Sequence, residues 1–262
     1  MVTAQLVKEL RERTGISMMD CKSALVESGG DIEKAIEILR KKSVLKAEKK
    51  SGRATNEGAI VVGSSDNASF IVEVDTETDF AAKDVSFQKF LDELTYFCSK
   101  QSPEDLVDLN KKFNPQLLEI IQKIGENIKI SYYQKLTVDD AVLASYKHSD
   151  NRLAAIVKMD SGDESLGRDI AMQVAANNPM AIYPEDISEE VLSKEKEIAL
   201  ATLANENKPE DIKEKIIIGK LNKFKMENAL VEQAFIKDPD KKIKDLLGNI
   251  KILSFLRKKV GE

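Results

Sequence analysis

The sequence predicts an α+β protein built from several small domains rather than one large core. Apolar residues recur at helical spacing through residues 1–40, and short β-branched runs separated by turns begin near residue 58. A strand–turn–strand–helix pattern then occurs twice. The chain has 262 residues, which is long enough for two or three domains with adequate cores.

Composition excludes several classes of protein. Hydrophobic residues make up 42% of the chain and the net charge is −5, so the protein lacks an overall basic field for nucleic acid. A basic cluster at Arg40–Lys50 can touch RNA, but a solvated helix end or linker is favoured. Cys21 and Cys98 fit no metal-binding spacing and suggest a reducing compartment. Without a membrane-length apolar run or a signal-peptide core, a cytoplasmic protein is expected.

Residues 1–54 are predicted to form three short helices that continue into the basic linker. Asp31 is a candidate cap for the third helix. The layout resembles a ubiquitin-associated (UBA-like) domain, with the segment that contains Met18 and Met19 standing where that fold has its first interhelical loop. Neighbouring helical residues lie about 100° apart around the axis, so these two methionines cannot both face one core. One of them is expected to be an adaptable surface contact, with partial burial of both as the alternative.

The core is predicted as two similar subdomains, residues 55–140 and residues 141–187 with 229–262. Each copy has two strands joined by a turn, then a helix, then a Pro-Glu-Asp segment. In each copy a later helix leads into a closing strand, at Gly125–Ile130 and at Gly248–Ile252. The pattern therefore predicts two small antiparallel sheets backed by helices.

Residues 188–228 interrupt the second copy. Two stretches with apolar residues at helical spacing flank a turn at Asn205–Pro209, and their other positions are mostly charged. This predicts an inserted antiparallel helical hairpin of the coiled-coil type. Because a two-helix hairpin buries only one seam, docking on a partner or homodimerisation through it is expected, with an isolated lever as the alternative.

The corner at residues 73–83 joins a predicted strand to a predicted helix. Thr78 or Asp79 can cap that helix. Three acidic residues surround its one large apolar side chain, Phe80: Asp75, Glu77 and Asp79. Phe80 either folds back into the core, as at an ordinary corner, or is presented on the surface as a rigid aromatic wedge.

The motifs of common catalytic and cofactor sites are absent from the sequence. It contains neither a GxxxxGK[ST] loop nor a GxGxxG loop after a strand. Its one histidine, His148, is predicted at an exposed turn and has no nucleophile at motif spacing. We therefore expect no catalytic residue, cofactor or metal, and a protein that acts by binding another protein.

With its modules in this order, the chain closely resembles the bacterial elongation factor Ts family. Leu6–Gly15 followed by Met18–Leu25 matches the family's N-terminal signature nearly residue for residue, and Glu73–Lys83 matches its second signature. The resemblance covers residues 2–260. Shorter matches lie at Lys123–Ile128, at Ser145–His148 and at Pro184–Asp186.

The resemblance implies a guanine-nucleotide exchange factor that binds elongation factor Tu with GDP and promotes GDP release so that GTP can bind. The exchange wedge would be Thr78, Asp79, Phe80 and Ala81, pushed near the partner's Mg2+ and phosphate loop. Met18 and Met19 would bind the partner's G domain beside the wedge. Further contacts would come from Ile124, Gly125 and His148. Neither a cofactor, nor direct contact with nucleic acid, nor a membrane is implied.

The chain departs from the family pattern beside the wedge. Ala81 stands where the family commonly has Val, and Asp75 and Thr76 differ from the usual small or Asn-like residues. The loss of two methyl groups is expected to weaken the packing of the corner while Phe80 remains. Some family members carry a further C-terminal module, whose contribution is expected to be missing here.

The internal repeat provides a comparison for Phe80. The matching corner of the second copy, Met159–Glu164, has no aromatic residue. A strand-to-helix corner in this fold therefore does not require one, which favours a functional tip. The alternative function is a structural adaptor, with a helical binding module tethered to a dimerising core and no exchange activity.

Overall fold

The computed structural model describes residues 2–203 and 209–262. Their α-helices and strands, in chain order, are α1 Ala4–Thr14, α2 Met18–Glu27, α3 Ile32–Lys50, β1 Glu57–Ser65, β2 Ala68–Thr76, α4 Asp79–Lys83, α5 Val85–Gln101, α6 Leu106–Ile124, β3 Ile128–Thr137, β4 Val142–Lys147, β5 Leu153–Met159, α7 Glu164–Asn177, α8 Glu189–Leu203, α9 Glu210–Asn228, β6 Ala234–Phe235, β7 Asp238–Lys242, α10 Ile243–Leu247 and β8 Ile252–Lys259.

Helices and small sheets together confirm the predicted α+β class. One three-stranded sheet has the order β1-β2-β3 and another has the order β4-β5-β8. Strands β1 and β2 are antiparallel, with Glu57 opposite Thr76 and Ser65 opposite Ala68. In both sheets, two consecutive strands are joined by a later closing strand, as the internal repeat predicts.

The chain forms two compact units. The first comprises the residues up to Lys135 together with Lys147–Ala154 and Lys258–Glu262. The second comprises Leu136–Tyr146 and Ala155–Arg257. The division into residues 1–54, 55–140, 141–187 with 229–262, and 188–228 stays a prediction.

Apolar clusters among the described residues hold the first unit together. The three N-terminal helices bury one cluster, which includes Leu10, Cys21 and Leu25. Strands β1 and β2 and helices α5 and α6 bury a larger one, which includes Phe70 and Phe87. Every residue of β2 is buried, so the strand that leads to the corner at residues 73–83 is fixed on both faces.

In the second unit, α8 and α9 pack on each other through a small apolar cluster. Ala199, Leu203 and Ile217 are its buried members. Coiled-coil packing of these helices, and the UBA-like character of the N-terminal helices, remain predictions. The turn predicted at Asn205–Pro209 lies outside the described residues except for Pro209.

The local signal for the start of α3 is confirmed. The Asp31 side chain accepts a hydrogen bond from the Lys34 N–H and caps α3, as predicted. Helix α3 then continues to Lys50, so the basic cluster at Arg40–Lys50 lies on a helix.

Both closing strands begin later than predicted. Strand β3 begins at Ile128 and β8 at Ile252, so the predicted strands at Gly125–Ile130 and Gly248–Ile252 are wrong in their first residues. At the end of α6, Gly125 has a φ of 86° and its N–H returns to the Ile121 carbonyl, which closes the helix. The chain needs the following two residues to turn into the sheet.

One small sheet was not expected from the sequence. Strands β6 and β7 form an antiparallel pair that contains Ala234, Phe235 and the charged segment Asp238–Lys242. That segment contains Pro239 and has no apolar residues at alternating positions, so it shows none of the usual strand signals.

Candidate functional site

The corner between β2 and α4 presents Phe80 on the surface. The Phe80 side chain is 81% exposed, whereas the following residues Ala81 and Ala82 are buried. Thr78 is the cap, because its hydroxyl accepts a hydrogen bond from the Ala81 N–H at 3.2 Å. Asp79 is instead the first residue of α4. Of the two placements left open by the local sequence, the surface one is observed.

The three acidic residues of this corner lie in different environments. Asp75 is only 6% exposed and its carboxylate lies 3.3 Å from Lys129 Nζ. The Glu77 carboxylate accepts a hydrogen bond from the Asn127 N–H at 2.6 Å and pairs with Arg53. Only Asp79 remains an exposed carboxylate next to Phe80, so the predicted cluster of three around the ring is wrong for Asp75.

Two of these carboxylates have shifted pKa values of opposite sign. A hydrogen bond from Lys83, at 2.7 Å, lowers the pKa of the exposed Asp79. Burial raises the pKa of Asp75, and the neighbouring charge of Glu73 raises it further. Asp79 is therefore ionised over a wide pH range, whereas the charge on Asp75 is disfavoured by its surroundings.

A short turn at residues 125–127 holds the corner from the side. Both oxygens of the Glu126 carboxylate accept hydrogen bonds from Thr78, one from its N–H at 3.0 Å and one from its hydroxyl at 2.7 Å. Hydrogen bonds to a charged group each contribute about 1.5–3 kcal/mol. The Asn127 side chain in turn donates to the Arg53 carbonyl at 2.9 Å. These contacts join the corner to the segment that follows α3.

Met18 and Met19 lie at the first turn of α2, and both side chains are exposed. The exposed fractions are 44% for Met18 and 75% for Met19. Both methionines therefore lie on the surface and neither is in the core of the three helices, while their role as contacts stays a prediction.

The N-terminal helices are tied to the turn at residues 125–127 through α3. Lys46 Nζ lies 2.7 Å from the carboxylate of Asp20, the residue after Met19. One helical turn further along, Lys50 Nζ donates a 2.6 Å hydrogen bond to the Gly125 carbonyl. The basic residues at this end of α3 thus make specific contacts within the first unit.

The remaining predicted contact residues are less directly connected. Ile124 is partly buried and packs against the core cluster of α5 and α6. His148 is exposed at the turn between β4 and β5, with its Nδ1 3.0 Å from Asp150 Oδ1. Within residues 2–203 and 209–262, no hydrogen bond or ion pair joins His148 to the other predicted contact residues.

Sequence reasoning missed Glu126, Lys46 and Lys50 as structural partners of the site. Glu126 is 48 residues away from Thr78 in the chain. The two lysines stand in a run of basic residues that looks like an ordinary solvated helix face. Their pairing depends on tertiary packing that no local pattern encodes.

The described part of the chain offers no cluster of three or more His, Cys, Asp or Glu residues able to hold a metal ion. None of its helices is long and apolar enough to cross a membrane.

Comparisons with known proteins then place the chain. A family profile described as "Elongation factor TS" matches residues 77–262. Proteins named Elongation factor Ts from Marinobacter nauticus and Hahella chejuensis are 45% and 43% identical to the chain. Each alignment covers 100% of this chain, and it covers 91% of the Marinobacter protein and 92% of the Hahella protein. A relative from Clostridium kluyveri is 41% identical, with 100% of this chain and 94% of that protein covered.

The chain belongs to the elongation factor Ts family. It is thus a translation elongation factor, and guanine-nucleotide exchange on elongation factor Tu is the role of this family. The profile match begins at Glu77, inside the corner that presents Phe80, and the full-length relatives extend the similarity over the N-terminal helices.

Proposed function

We propose that this chain binds elongation factor Tu loaded with GDP and promotes GDP release so that GTP can bind, with Phe80 as the exchange wedge. The observation that carries the proposal is that Phe80 is exposed while the residues on both sides of it are held in place. Phe80 is 81% exposed, while Thr78, two residues earlier, is hydrogen-bonded to Glu126 and the following Ala81 is buried. A large aromatic held in this way can push into a partner without folding back.

The chemistry of a guanine-nucleotide site explains why such a push releases GDP. Phosphates are bound by backbone N–H groups at a helix N-terminus and by Mg2+ with a demanding octahedral geometry. Where a site depends on exact positioning, moving its groups by about 1 Å can lower its function roughly 100-fold. The exchange factor therefore needs to supply an inserted side chain and a nearby charge rather than a reacting group.

Phe80 and Asp79 supply those two elements. Asp79 is exposed, and the hydrogen bond from Lys83 keeps its pKa below the usual range, so it is charged at neutral pH. An anion placed near a bound Mg2+ competes with the phosphates for the metal. We infer that Asp79 and Phe80 act together, the ring by displacement and the carboxylate by charge.

Exchange of this kind is a reciprocal coupling. If binding of this chain weakens GDP binding by some factor, GDP weakens binding of the chain by the same factor. GTP then displaces the chain in the same way, which leaves the partner loaded. The chain needs no catalytic residue or cofactor for this cycle, so we class it as an exchange factor rather than an enzyme.

Further contacts would hold the partner in place. Met18 and Met19 are exposed and flexible, which suits an adaptable apolar contact. Ile124, Gly125 and His148, which belong to the α+β part of the chain, are proposed to support the same contact. The interaction is with protein alone, without direct contact to nucleic acid or membrane, and we propose a cytoplasmic location in keeping with translation.

Ala81 affects the packing of the corner more than its contact face. Its side chain is only 5% exposed, so the two methyl groups that a valine would add here would point toward the interior. The proposed wedge therefore keeps its exposed surface and has a less tightly filled base.

The test is GDP release from purified elongation factor Tu, followed with a fluorescent GDP, with and without this chain. Release is expected to accelerate steeply as the chain is added. Unchanged release at concentrations where the two proteins demonstrably bind would overturn the proposal and favour the adaptor.

A second candidate role, self-association, is favoured by the apolar surface of the inserted helices. Ile198 on α8 and Ile218 on α9 are more than half exposed although both helices already bury a shared seam. A homodimer through these helices would cover such residues. Light scattering of the free chain, compared with an Ile198→Lys, Ile218→Lys variant, decides whether the helices dimerise.

A further inference from the structure

The short helix that carries Phe80 cannot hold its own shape. Helix α4 spans five residues, Asp79–Lys83, and ends at Asp84, which caps the next helix. Helix formation has a costly nucleus, and isolated helices shorter than about 12 residues are marginal in water. The orientation of Phe80 therefore depends on contacts made from outside α4.

Ala81 and Ala82 are buried on one side of α4, and the start of the helix is held through one hydroxyl group. Thr78 Oγ1 donates its proton to Glu126 and accepts the hydrogen bond from the Ala81 N–H. Because the Glu126 carboxylate can only accept, it fixes the direction of the hydroxyl proton and leaves an oxygen lone pair free for the cap. The second carboxylate oxygen holds the Thr78 N–H. Glu126 thus controls both the cap of α4 and the backbone just before it.

Glu126 is itself fixed on both sides. The carbonyl of Gly125 accepts the hydrogen bond from Lys50, and the N–H of Asn127 donates to Glu77. The turn is therefore bonded to α3 on one side and to the residue before Thr78 on the other. A carboxylate on such a turn is a rigid reference point for the corner.

From this geometry we propose that Glu126 is a positioning residue for nucleotide exchange, which sets the orientation of Phe80 by locking Thr78 as the cap of α4. The proposal rests on the exchange function proposed above. It assigns to Glu126 an effect on the rate of GDP release from the complex, while the binding contacts of Met18 and Met19 are left as they are.

The test compares Glu126→Ala with Glu119→Ala, a matched control on the exposed face of α6. With Glu126→Ala, the maximal rate of GDP release at saturating chain is expected to fall on the order of 10-fold. The concentration of chain that gives half the maximal rate is expected to stay within about 2-fold, since Met18 and Met19 are unchanged and Lys50 still holds the Gly125 carbonyl. Glu126→Gln keeps one acceptor oxygen for the Thr78 N–H and places an amide NH2 group at the hydroxyl, so it is expected to recover part of the rate.

Amide hydrogen exchange provides a readout that does not depend on the partner. In Glu126→Ala, the amides of Ala81 and Ala82 are expected to exchange faster, while those of α5 are unchanged. Thr78→Val, which removes the same hydroxyl, is expected to reproduce both effects, and adding Glu126→Ala to it is expected to change the maximal rate little further. This variant also serves if Glu126→Ala does not fold.

The outcomes separate this inference from the proposed function. If Phe80→Ala slows GDP release but Glu126→Ala, Glu126→Gln and Thr78→Val match the unaltered chain, the positioning role is wrong and the exchange function stands. If Phe80→Ala also matches the unaltered chain, the wedge itself is wrong and the positioning role falls with it.

Discussion

The carboxylate of Asp20 and the ammonium group of Lys46 lie 2.7 Å apart, and this ion pair joins α2 to α3 directly beside Met19. A second ion pair between the same helices, Lys42 with Glu27, lies at the other end of α2. Both pairs are partly exposed, so each is expected to contribute less than about 1 kcal/mol to stability.

The two pairs therefore form a matched test of local positioning. Lys46→Ala is expected to raise, a few-fold, the concentration of chain needed for half-maximal GDP release, because the first turn of α2 loses its tether. Lys42→Ala is expected to leave that concentration unchanged. Titration of GDP release against chain concentration measures both, and equal effects of the two variants would mean that the pair beside Met19 has no positioning role.

Gly58 faces the strand that leads to the wedge, and it has no room for a side chain. Its φ is 147°, and a Cβ there would lie 2.2 Å from the Val74 carbonyl oxygen. Because the obstacle is backbone, Gly58→Ala is expected to lower the free energy of unfolding by about 1–3 kcal/mol or more.

Gly52→Ala is the control, since nothing lies within 4 Å of a Cβ at that position. Urea unfolding of both variants measures the difference. A Gly58→Ala chain as stable as the Gly52→Ala chain would show that β1 and β2 can separate locally without cost.

Asp75 makes stability depend on pH. Burial and the charge of Glu73 raise its pKa in the folded chain, so folding takes up a proton at pH values between the ordinary value of 3.8 and the raised value. The free energy of unfolding therefore falls as the pH rises through this range, and it is lowest where Asp75 is fully ionised. In Asp75→Asn the group cannot ionise, so the free energy of unfolding of the variant minus that of the unaltered chain is expected to grow as the pH rises from about 4 to 7.

The measurement is urea unfolding of both chains at several pH values, with Asp84→Asn, at the exposed cap of α5, as a surface comparison. A difference between Asp75→Asn and the unaltered chain that shrinks as the pH rises would contradict the raised pKa. It would mean instead that the ion pair with Lys129 dominates the environment of Asp75.

The sequence predicts the elements of this fold well where the signal is local. The second copy of the repeat is predicted to have two strands followed by a helix, and β4, β5 and α7 occur in that order; Asp31 also caps α3 as expected. Caps and apolar spacing act within one or two turns of chain, which is why they can be identified before the structure is known.

The parts that the sequence could not provide depend on distant partners. Phe80 was compatible with the core or the surface, and only the packed corner shows which. Glu126 is hydrogen-bonded to Thr78, which lies 48 residues earlier in the chain. Asp75 is not part of an exposed acidic cluster because β2 is buried on both faces. The pair β6 and β7 is held by its place in the second unit rather than by strand-forming residues.

The most direct test of the exchange mechanism is replacement of the Phe80 side chain. Phe80→Ala is compared with Val85→Ala, a nearby apolar residue that is 79% exposed, and the release of fluorescent GDP from elongation factor Tu is followed at saturating chain. Phe80→Ala is expected to slow release by about 10-fold or more, with unchanged stability, while Val85→Ala matches the unaltered chain. Release as fast with Phe80→Ala as with the unaltered chain would show that Phe80 is not the wedge.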